Sequence, residues 1–499
     1  MMKKSLWQKY NSSKAFDSLK ENKETDVLII GAGLTGTTLA YNLINSNMDV
    51  ILIDKGKCFD DTIAKSTGKI AYLQELKYQD IMSVYDFNTA KLYYESQKEA
   101  IKIINKNIKE NNINCDIEKV MNITFTCDEK ELSKFDKEED FLNKVGIKYI
   151  KDLGILKNDD VKRLIAVKDN YVFNPVKYLK GLMDRIRKTS NIEVFENSIA
   201  TKIIKERKYY TVYVNDYKVK AEKIVIACNY PFFTIPGFVP FKTYLEKSYL
   251  TAGKVLDNKK IAGITSNYPI KSFRYYTDNK NDNYFVYLSN SSKTCDKLNY
   301  KKNYDDTSSE FKNITSKEPN YKWTNMDVMT NDYMPLIGRV SHNDKNTFIA
   351  TGYNTWGITN GTIAAKIIFD LLMDKKNKYE TIFSPTRTQN LPKIKNFVIN
   401  TLSSNTKAYA LNLIKKNPSW YKNKAVVTNI YGKRVGIYYD EQGEKHIVSN
   451  ICPHLKCFLT FNEVDKTWDC PCHASRFDID GNVIRGPACY NIKIDEAKE

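Results

Sequence analysis

A short pattern of cysteines and histidines near the C-terminus constrains this chain more than any other feature. Cys452 and His454 form a Cys-x-His arm, and Cys470 and His473 form a Cys-x-x-His arm further along. The chain has only four histidines, and two of them lie in these arms. Two thiolates and two imidazoles suit either a zinc ion or an iron–sulfur centre in which two cysteines hold one iron and two histidines hold the other. The residues therefore predict a metal centre in a small C-terminal domain.

The segments around these residues resemble the Rieske domains of cytochrome bc complexes. The first reads Cys-Pro-His-Leu-Lys-Cys, the second reads Cys-Pro-Cys-His-Ala-Ser, and a Gly-Pro-Ala run follows at 486–488. The resemblance covers residues 415–499, and a zinc site would need neither the additional cysteine pair nor the Gly-Pro-Ala run. It implies that a 2Fe–2S cluster is bound by Cys452, His454, Cys470 and His473. It also implies a disulfide between Cys457 and Cys472.

Three positions depart from the family pattern. Lys456 and Ala474 stand where the family usually has glycine, so both ligand loops must accept a side chain there. Phe477 stands where high-potential members have a tyrosine whose hydroxyl bonds a ligand sulfur. Because hydrogen bonds to sulfur stabilise the reduced cluster, we expect a reduction potential toward the low end of the Rieske range.

A second motif lies near the N-terminus. The apolar run 26–30 predicts a buried parallel strand, and it leads directly into Gly31-Ala-Gly33-Leu-Thr-Gly36 and a helical pattern. Gly31 allows the tight turn, Gly33 lets the backbone approach a pyrophosphate, and Gly36 lets the helix pack against the strand. An acidic residue, Asp54, ends the next apolar strand. This context predicts a Rossmann-type site with phosphates at the helix N-terminus and Asp54 on the ribose hydroxyls.

Residues 20–384 resemble the FAD-dependent family of D-amino-acid oxidase and glycine oxidase. The most telling part is a glycine-rich turn at 352–361 before a helix predicted at about 362–373. In that family this helix N-terminus faces the flavin edge on which negative charge accumulates. The order of flavoprotein first and Rieske domain last resembles a bacterial group of FAD oxidoreductases. Besides the motif glycines and Asp54, the resemblance assigns FAD contacts to Ala32, Thr35, Lys55, Lys65, Ser66, Thr67, Ala200, Gly338, Gly357, Ile358 and Thr359.

Three residues are candidates for the catalytic, substrate-facing side of the flavin. Arg274 lies on a predicted strand and is either a clamp for a substrate carboxylate or a surface or interdomain arginine. Tyr353 and Trp356 belong to the glycine-rich turn, and they either face the flavin or pack the turn. For Trp356 we favour the flavin face. No general base is predicted, because oxidation of an amine by hydride transfer needs only a deprotonated amine.

The patterns predict an α/β Rossmann-like FAD-binding domain with an interleaved α+β substrate domain, followed by a C-terminal all-β Rieske domain. FAD-binding parts are expected at about 25–77, 173–232 and 326–384. The other expected boundaries are an N-terminal arm at 1–24, a substrate domain at about 78–172 and 233–325, a linker at 385–414 leading through a helix at 394–416, and the Rieske domain at 415–499.

The net charge of +18 could indicate a nucleic-acid partner. The lysines are interleaved with asparagine and acidic residues, without a basic run that contains aromatics, so we expect no such partner. No apolar run reaches the roughly 18 residues that a membrane helix needs. Residues 1–24 also lack the apolar core of a signal peptide. The sequence therefore predicts a cytoplasmic protein without a transmembrane segment.

Two cofactors in one chain indicate an internal redox path. The first hypothesis is an oxidoreductase, a dehydrogenase more than an oxidase, that oxidises a small amine or amino acid. Electrons would pass through FAD and the Rieske cluster to an external acceptor, either an acidic redox protein or a quinone. The alternative is an electron-transfer relay or redox sensor without a small-molecule amine substrate. A relay fed by NAD(P)H would need a second strand–GxGxxG–helix unit, and the sequence contains none.

Overall fold

The computed structural model describes residues 5–11, 15–154, 161–232, 239–294, 299–388, 425–430 and 432–494. The linker helix predicted at 394–416 lies outside these ranges. Strands and helices are numbered in chain order. Short 3-10 turns lie at Gln8–Tyr10, Thr62–Lys65 and Glu129–Glu131.

The strands of the first 388 residues are β1 (Lys23–Ile30), β2 (Val50–Ile53), β3 (Lys69–Ile70), β4 (Glu118–Thr126), β5 (Arg163–Val172), β6 (Ile192–Phe195), β7 (Ala200–Lys205), β8 (Tyr210–Val214), β9 (Tyr217–Ile226), β10 (Thr243–Val255), β11 (Ile261–Thr265), β12 (Ser272–Thr277), β13 (Asn283–Lys293), β14 (Tyr321–Thr330), β15 (Leu336–Ser341) and β16 (Asp344–Thr351). The helices are α1 (Leu34–Asn42), α2 (Lys77–Val84), α3 (Phe87–Glu110), α4 (Leu132–Lys144), α5 (Pro175–Ile186), α6 (Val239–Lys242), α7 (Tyr300–Thr315), α8 (Gly357–Leu372) and α9 (Glu380–Phe383).

The first sheet is the Rossmann-like layer. Its order is β15-β16-β9-β1-β2-β6, with β8 added to β9 and β7 added to β8. Strand β1 runs parallel to β2 and β9, so Ile30 lies beside both Ile53 and Ile226. Residues 27–30 and 50–53 are buried, as expected for parallel strands covered on both faces. The loops after these three strands meet at one edge of the sheet, where such folds bind their ligands.

Helices α1, α5 and α8 pack together on this sheet, and α3 packs against α8. Asn174 caps α5 by accepting hydrogen bonds from the N–H groups of Val176 and Lys177, and Pro175 occupies the first helical position. Helix α8 begins at Gly357, five residues before the predicted start. The reason is packing: a Cβ on Gly361 would lie 2.9 Å from Thr35 Oγ1, so this glycine serves the contact with α1 rather than a turn.

The second sheet has the order β14-β10-β13-β12-β11-β4-β5-β3 and is antiparallel except where β4 meets β11. Its strands come from segments on both sides of α5 in the chain, which is the interleaved α+β arrangement that the sequence predicts. Strand β3 directly follows the loop at 65–68, so this sheet begins where a FAD-binding segment ends.

Two small antiparallel sheets form the C-terminal domain. One contains β17 (Ala425–Ile430), β18 (Lys433–Tyr439) and β19 (Lys445–Ser449), as the sequence predicts. The other contains β20 (Thr460–Asn462), β21 (Thr467–Asp469), β22 (Arg476–Phe477) and β23 (Val483–Arg485). Trp468 is fully buried and lies against Gly436, where a Cβ would come within 2.5 Å of the indole.

The N-terminal arm is part of the core. Trp7 is fully buried, its ring packs edge-on against Tyr276, and its indole N–H donates to the Ser66 carbonyl oxygen at 2.7 Å. The indole of Trp323 donates to the neighbouring carbonyl, that of Lys65, at 2.9 Å. Two tryptophans from opposite ends of the flavoprotein segment thus support the same loop.

We expect Trp7→Ala to lower the free energy of unfolding by about 3–5 kcal/mol, because it leaves a large cavity under this loop. Trp7→Phe keeps most of the buried ring and loses the bond to Ser66, so its cost should be smaller. Urea denaturation followed by far-UV circular dichroism measures both. Equal destabilisation by the two substitutions would show that packing of the ring does not support the fold here.

Candidate functional site

The loop after β1 carries the glycine motif. Gly31 adopts a φ of +111°, and a Cβ there would lie 2.7 Å from the Ala227 carbonyl oxygen. A Cβ on Gly36 would lie 1.9 Å from the Gly31 carbonyl oxygen, so Gly36 allows α1 to touch the loop. Gly33 is the N-cap of α1, and no described atom lies within 4 Å of the place where its Cβ would stand. The start of α1 therefore opens on space where its amides and dipole favour a phosphate.

Asp54 ends β2 beside this loop. One carboxylate oxygen accepts from the Ala32 N–H at 2.8 Å, and the other accepts from the Gly56 N–H at 2.9 Å. Burial raises the pKa of Asp54, and the two backbone bonds act against that rise. Ala32 contributes through its backbone, whereas Asp54 and Lys55 line a cavity next to the loop. Asp54 is thus positioned to accept from ribose hydroxyls.

A tight turn joins β16 to α8. Its residues Gly352, Asn354 and Thr355 have positive φ values of 73°, 51° and 68°. The Tyr353 hydroxyl lies 2.7 Å from Thr35 Oγ1 and ties this turn to α1. The N-termini of α1 and α8 consequently open on the same cavity, and both helix dipoles favour negative charge there.

This cavity runs between the two large sheets and reaches the C-terminal domain. Tyr353 and Trp356, both substrate-side candidates, line it. Burial raises the pKa of Tyr353, so its phenol is neutral. The predicted FAD contacts that line the cavity are Gly31, Gly33, Thr35, Asp54, Lys55, Ser66, Thr67, Ala200, Gly357 and Ile358. Folding thus brings together both ends of the flavoprotein segment, and the open space beside Gly33 fits a dinucleotide.

Three predicted contacts lie behind the cavity wall instead. Lys65 Nζ pairs with Asp61 Oδ1 at 2.9 Å. Thr359 Oγ1 accepts a hydrogen bond from Gln74 Nε2 at 3.0 Å. Gly338 has a φ of +127° and lies on β15, away from the cavity lining. These residues shape the site without facing its interior.

Arg274 corrects one expectation. Its side chain is fully buried and does not line the cavity. Nη1 donates to the carbonyl oxygens of Gly68 at 2.6 Å and Phe173 at 3.0 Å, and the guanidinium lies 4.7 Å from the Trp7 ring. Nε and Nη2 are buried without a hydrogen-bond partner among the described residues. Because the guanidinium is buried and does not line the cavity, the structure favours the interdomain alternative over the clamp and over a surface position.

Sequence reasoning missed several polar residues of the lining, because no motif marks them and they become neighbours only through strand pairing, loop packing and docking of the C-terminal domain. They are Lys69, Glu75, Tyr230, Glu246, Asn325, Asp327 and Arg485. Of these residues, only Lys69 could have been predicted from the local sequence, since it closely follows the predicted FAD contacts Ser66 and Thr67. Its Nζ donates to Ser272 Oγ at 2.7 Å and lies 5.2 Å from the Trp356 ring, and burial lowers its pKa to about 7.

The four predicted cluster ligands lie on two facing loops of the C-terminal domain. A hydrogen bond with the Cys470 thiol lowers the pKa of Cys452 to about 7, and the rings of His454 and His473 lie 5.1 Å apart. Burial lowers the pKa of these histidines to about 4 and about 3, so both imidazoles are neutral. Both Nδ1 atoms are buried and have no hydrogen-bond partner among the described residues, as suits metal ligands.

The spacing of these ligands does not fit a single metal ion. The four ligand atoms do not all lie within 4.8 Å of one another. One zinc ion with bonds of about 2.0–2.3 Å would require that, whereas a two-iron cluster spans a wider set. The predicted disulfide between Cys457 and Cys472 is present. Lys456 and Ala474 have φ values of 59° and 60°, which explains why the family prefers glycine at both positions.

The cluster loops dock on the flavin-binding part at Tyr230. The Tyr230 ring lies 5.2 Å from the His473 ring and 6.3 Å from the His454 ring. Tyr230, Met326 and Ala474 belong to one buried apolar cluster across the boundary. Because Tyr230 and His473 both line the cavity, a predicted cluster ligand forms part of the wall of the predicted FAD site.

Polar contacts hold this docking in place. Lys247 Nζ lies 3.1 Å from Asp469 Oδ2, and both side chains are buried. Thr294 Oγ1 donates to the Pro471 carbonyl oxygen at 2.9 Å. Arg485 of the C-terminal domain also reaches the flavin-binding part, where it donates to the Met326 carbonyl oxygen.

Gly33→Val and Gly36→Val should fail in different ways. A side chain on Gly33 enters the open space in front of α1, so we expect a folded protein that does not bind FAD. A side chain on Gly36 collides with the Gly31 carbonyl, so we expect loss of folding. Flavin absorbance per mole of purified protein and circular dichroism separate the two results. Purification of Gly33→Val with stoichiometric FAD would contradict this assignment of the loop.

Comparison with known proteins agrees with this geometry. The chain is 30% identical over 501 aligned residues to YhfW of Bacillus subtilis (strain 168), whose name describes a Rieske 2Fe-2S iron-sulfur protein, with 98% of this chain and 96% of that protein covered. It is 22% identical to gamma-glutamylputrescine oxidoreductase of Escherichia coli (strain K12), covering 74% of this chain and 88% of the relative. The fold resembles glycine oxidase from Geobacillus kaustophilus, with a TM-score of 0.61 at 14% identity, over 73% of this chain and 99% of that one.

Two family profiles divide the chain. The profile described as FAD dependent oxidoreductase matches residues 26–371, and the Rieske [2Fe-2S] domain profile matches residues 412–495. Among the described residues, no helix has the length and apolar character needed to cross a membrane. The chain therefore belongs to the family of FAD-dependent oxidoreductases, carries a C-terminal Rieske domain, and has FAD and a 2Fe–2S cluster as its cofactors.

Proposed function

We propose that this chain is a dehydrogenase that oxidises a small amine or amino acid and delivers the electrons through its Rieske cluster to an external acceptor. The observation that carries the proposal is the position of His473, which lines the FAD cavity with its ring 5.2 Å from that of Tyr230. Both cofactor sites thus meet at one cavity within one chain.

FAD, when bound, supplies a two-electron acceptor, and the 2Fe–2S cluster supplies a one-electron carrier. Oxidation turns the carbon–nitrogen single bond of the substrate into an imine, so two electrons and two protons leave it. The first amides of α8, at Gly357 and Ile358, favour the negative charge that electron uptake brings to this end of the cavity. The chain therefore contributes orientation and charge stabilisation.

Electrons leave the cavity through Tyr230 and His473 in this proposal. The buried Lys247–Asp469 pair and the apolar contact of Ala474 with Met326 hold the Rieske domain in position for that electron transfer. A chain that passed its electrons to oxygen directly would not need this contact, so it supports a dehydrogenase rather than an oxidase. The net charge of +18 would attract an acidic redox protein, and a quinone is the other acceptor class.

The compared proteins support a substrate that contains an amine, since their names refer to gamma-glutamylputrescine and to glycine. The alternative is a relay or redox sensor without such a substrate. Polar residues from the second sheet, including Glu246, Asn325 and Asp327, line the cavity apart from the flavin loops. A relay would need no such lining, so these residues favour a small-molecule substrate.

Anaerobic reduction by a panel of amines and amino acids tests the proposal. In the unaltered chain we expect a substrate to bleach the flavin first and then produce the reduced cluster's EPR signal. In Cys470→Ser, substrate should still bleach the flavin, whereas the EPR signal and turnover with one-electron acceptors are lost. Cys127→Ser, at an exposed thiol, is the matched control. Full turnover of Cys470→Ser with every acceptor would show that the cluster does not lie on the electron-transfer path.

Tyr230 should affect transfer between the cofactors and leave substrate oxidation intact. We expect Tyr230→Ala to slow cluster reduction on the order of tenfold, about 1.4 kcal/mol in activation free energy, because it removes the aromatic ring that packs against both histidines. Tyr230→Phe keeps the ring and should keep the rate. Stopped-flow absorbance after anaerobic mixing with substrate separates flavin bleaching from cluster reduction. An unchanged second phase in Tyr230→Ala would contradict this route.

A further inference from the structure

One wall of the cavity carries polar side chains whose function is not yet explained. The register of β10 and β14 places Glu246 opposite Asp327 and Ser248 opposite Asn325. Side chains two residues apart on a strand share a face, and all four residues line the cavity. Directly opposed side chains have Cβ atoms about 5 Å apart. Two carboxylates are therefore neighbours inside the site.

This carboxylate pair lacks a close counter-charge. Within the described parts of the chain, neither Glu246 nor Asp327 is in an ion pair at 4 Å or less, although Lys293 lies opposite Glu246 on β13. Arg485 reaches this wall, and its Nε lies 3.7 Å from Asp61. Like charges directly opposite each other destabilise a sheet, so the fold keeps this pair at a cost.

Charges of both signs act on the pair. Burial, together with Glu75 and Asp327, raises the pKa of Glu246 to about 7, and burial raises that of Asp327 to about 6, while Lys293 acts against the first rise and Arg485 against the second. A bound cation would reverse both shifts, because it favours the ionised carboxylates. Lys69 Nζ donates to Ser272 Oγ and to the Gly263 carbonyl oxygen, and among the described residues it forms no ion pair with either carboxylate.

An independent observation indicates that the ligand is a hydrogen-bond donor. Asn325 is only 6% exposed, and its Oδ1 accepts no hydrogen bond from any residue that the structure describes. A buried acceptor without a partner destabilises the folded protein. It lies two residues from Asp327 on the same strand face. An ammonium group offers three donors and one positive charge, and so can satisfy the amide oxygen and the carboxylates together.

We propose that Glu246, Asp327 and Asn325 form a subsite for a second, non-reacting ammonium group of the substrate. This inference rests on the proposed function and narrows it. The amine that is oxidised must be deprotonated, whereas a carboxylate pair keeps an ammonium charged, so the subsite suits the far end of the molecule. The substrate class is a diamine or polyamine. The carboxylate of an amino acid would be repelled here, and Arg274 is not in the cavity to offset that repulsion.

Three probes with four carbon atoms each test the subsite: 1,4-diaminobutane, n-butylamine and 4-aminobutanoate. They share one amine and end in an ammonium, a methyl or a carboxylate group. Each is titrated anaerobically into the full-length protein with both cofactors, and binding is measured from the perturbation of the flavin absorbance, with flavin bleaching followed separately. We expect the diamine to bind at least tenfold more tightly than n-butylamine, and 4-aminobutanoate to bind most weakly.

Isosteric variants assign the effect to the named residues. Glu246→Gln and Asp327→Asn should each reduce the preference for the diamine over n-butylamine about tenfold, which corresponds to about 1.4 kcal/mol. Asn325→Leu should reduce it less, since it removes an acceptor without a charge. Glu222→Gln, at an exposed position on β9, is the matched control and should not change it. FAD content is measured for every variant.

The outcomes separate this inference from the function on which it rests. If amino acids bleach the flavin while 1,4-diaminobutane neither binds nor bleaches it, the subsite is wrong and the proposed function stands. An undiminished diamine preference in both carboxylate variants also overturns the subsite. If no amine or amino acid bleaches the flavin of the unaltered chain, the proposed function fails and the subsite fails with it.

Discussion

The contact of Tyr230 with His473 decides how the two halves of this chain relate. A Rieske cluster has two ligand edges, and only the histidine edge brings a flat, conjugated ring to the protein surface. Here that edge lies against an aromatic ring of the flavin-binding part, with Ala474 and Met326 in the same apolar cluster. The buried Lys247–Asp469 pair holds the Rieske domain in this docked position, since breaking a buried pair leaves an uncompensated charge. The cavity, its lining and the proposed electron path all follow from this docking.

The loop at 65–68 shows a similar dependence between distant segments. Its buried carbonyl groups need donors, because an unpaired buried carbonyl is costly. Trp323 supplies the donor for Lys65, Trp7 for Ser66 and Arg274 for Gly68. These donors come from the second sheet and the N-terminal arm. A segment predicted to contact the cofactor is therefore shaped by distant parts of the chain.

The cavity has two electrostatic regions. At one end, the N-termini of α1 and α8 present unsatisfied amides and positive dipole ends, which favour a phosphate and a reduced flavin. Along β10 and β14, opposed carboxylates favour a cation. An anionic cofactor and a cationic substrate would therefore occupy different parts of the same cavity. Electrostatic attraction would direct each of them to the region of opposite charge.

The sequence by itself determined the features whose residues are close in the chain. The glycine motif after β1, the four predicted cluster ligands and the all-β character of the Rieske domain follow from local spacing, because turns and metal loops are built from neighbouring residues. Tertiary structure alone decided the rest. Arg274 is an arginine on a strand in either interpretation, and only sheet packing shows that it faces Gly68 and Phe173 rather than the cavity. Glu246 and Asp327 become neighbours through the register of β10 and β14, and Tyr230 meets His473 through docking of two domains. Register and docking depend on the whole buried surface, so no short stretch of sequence encodes them.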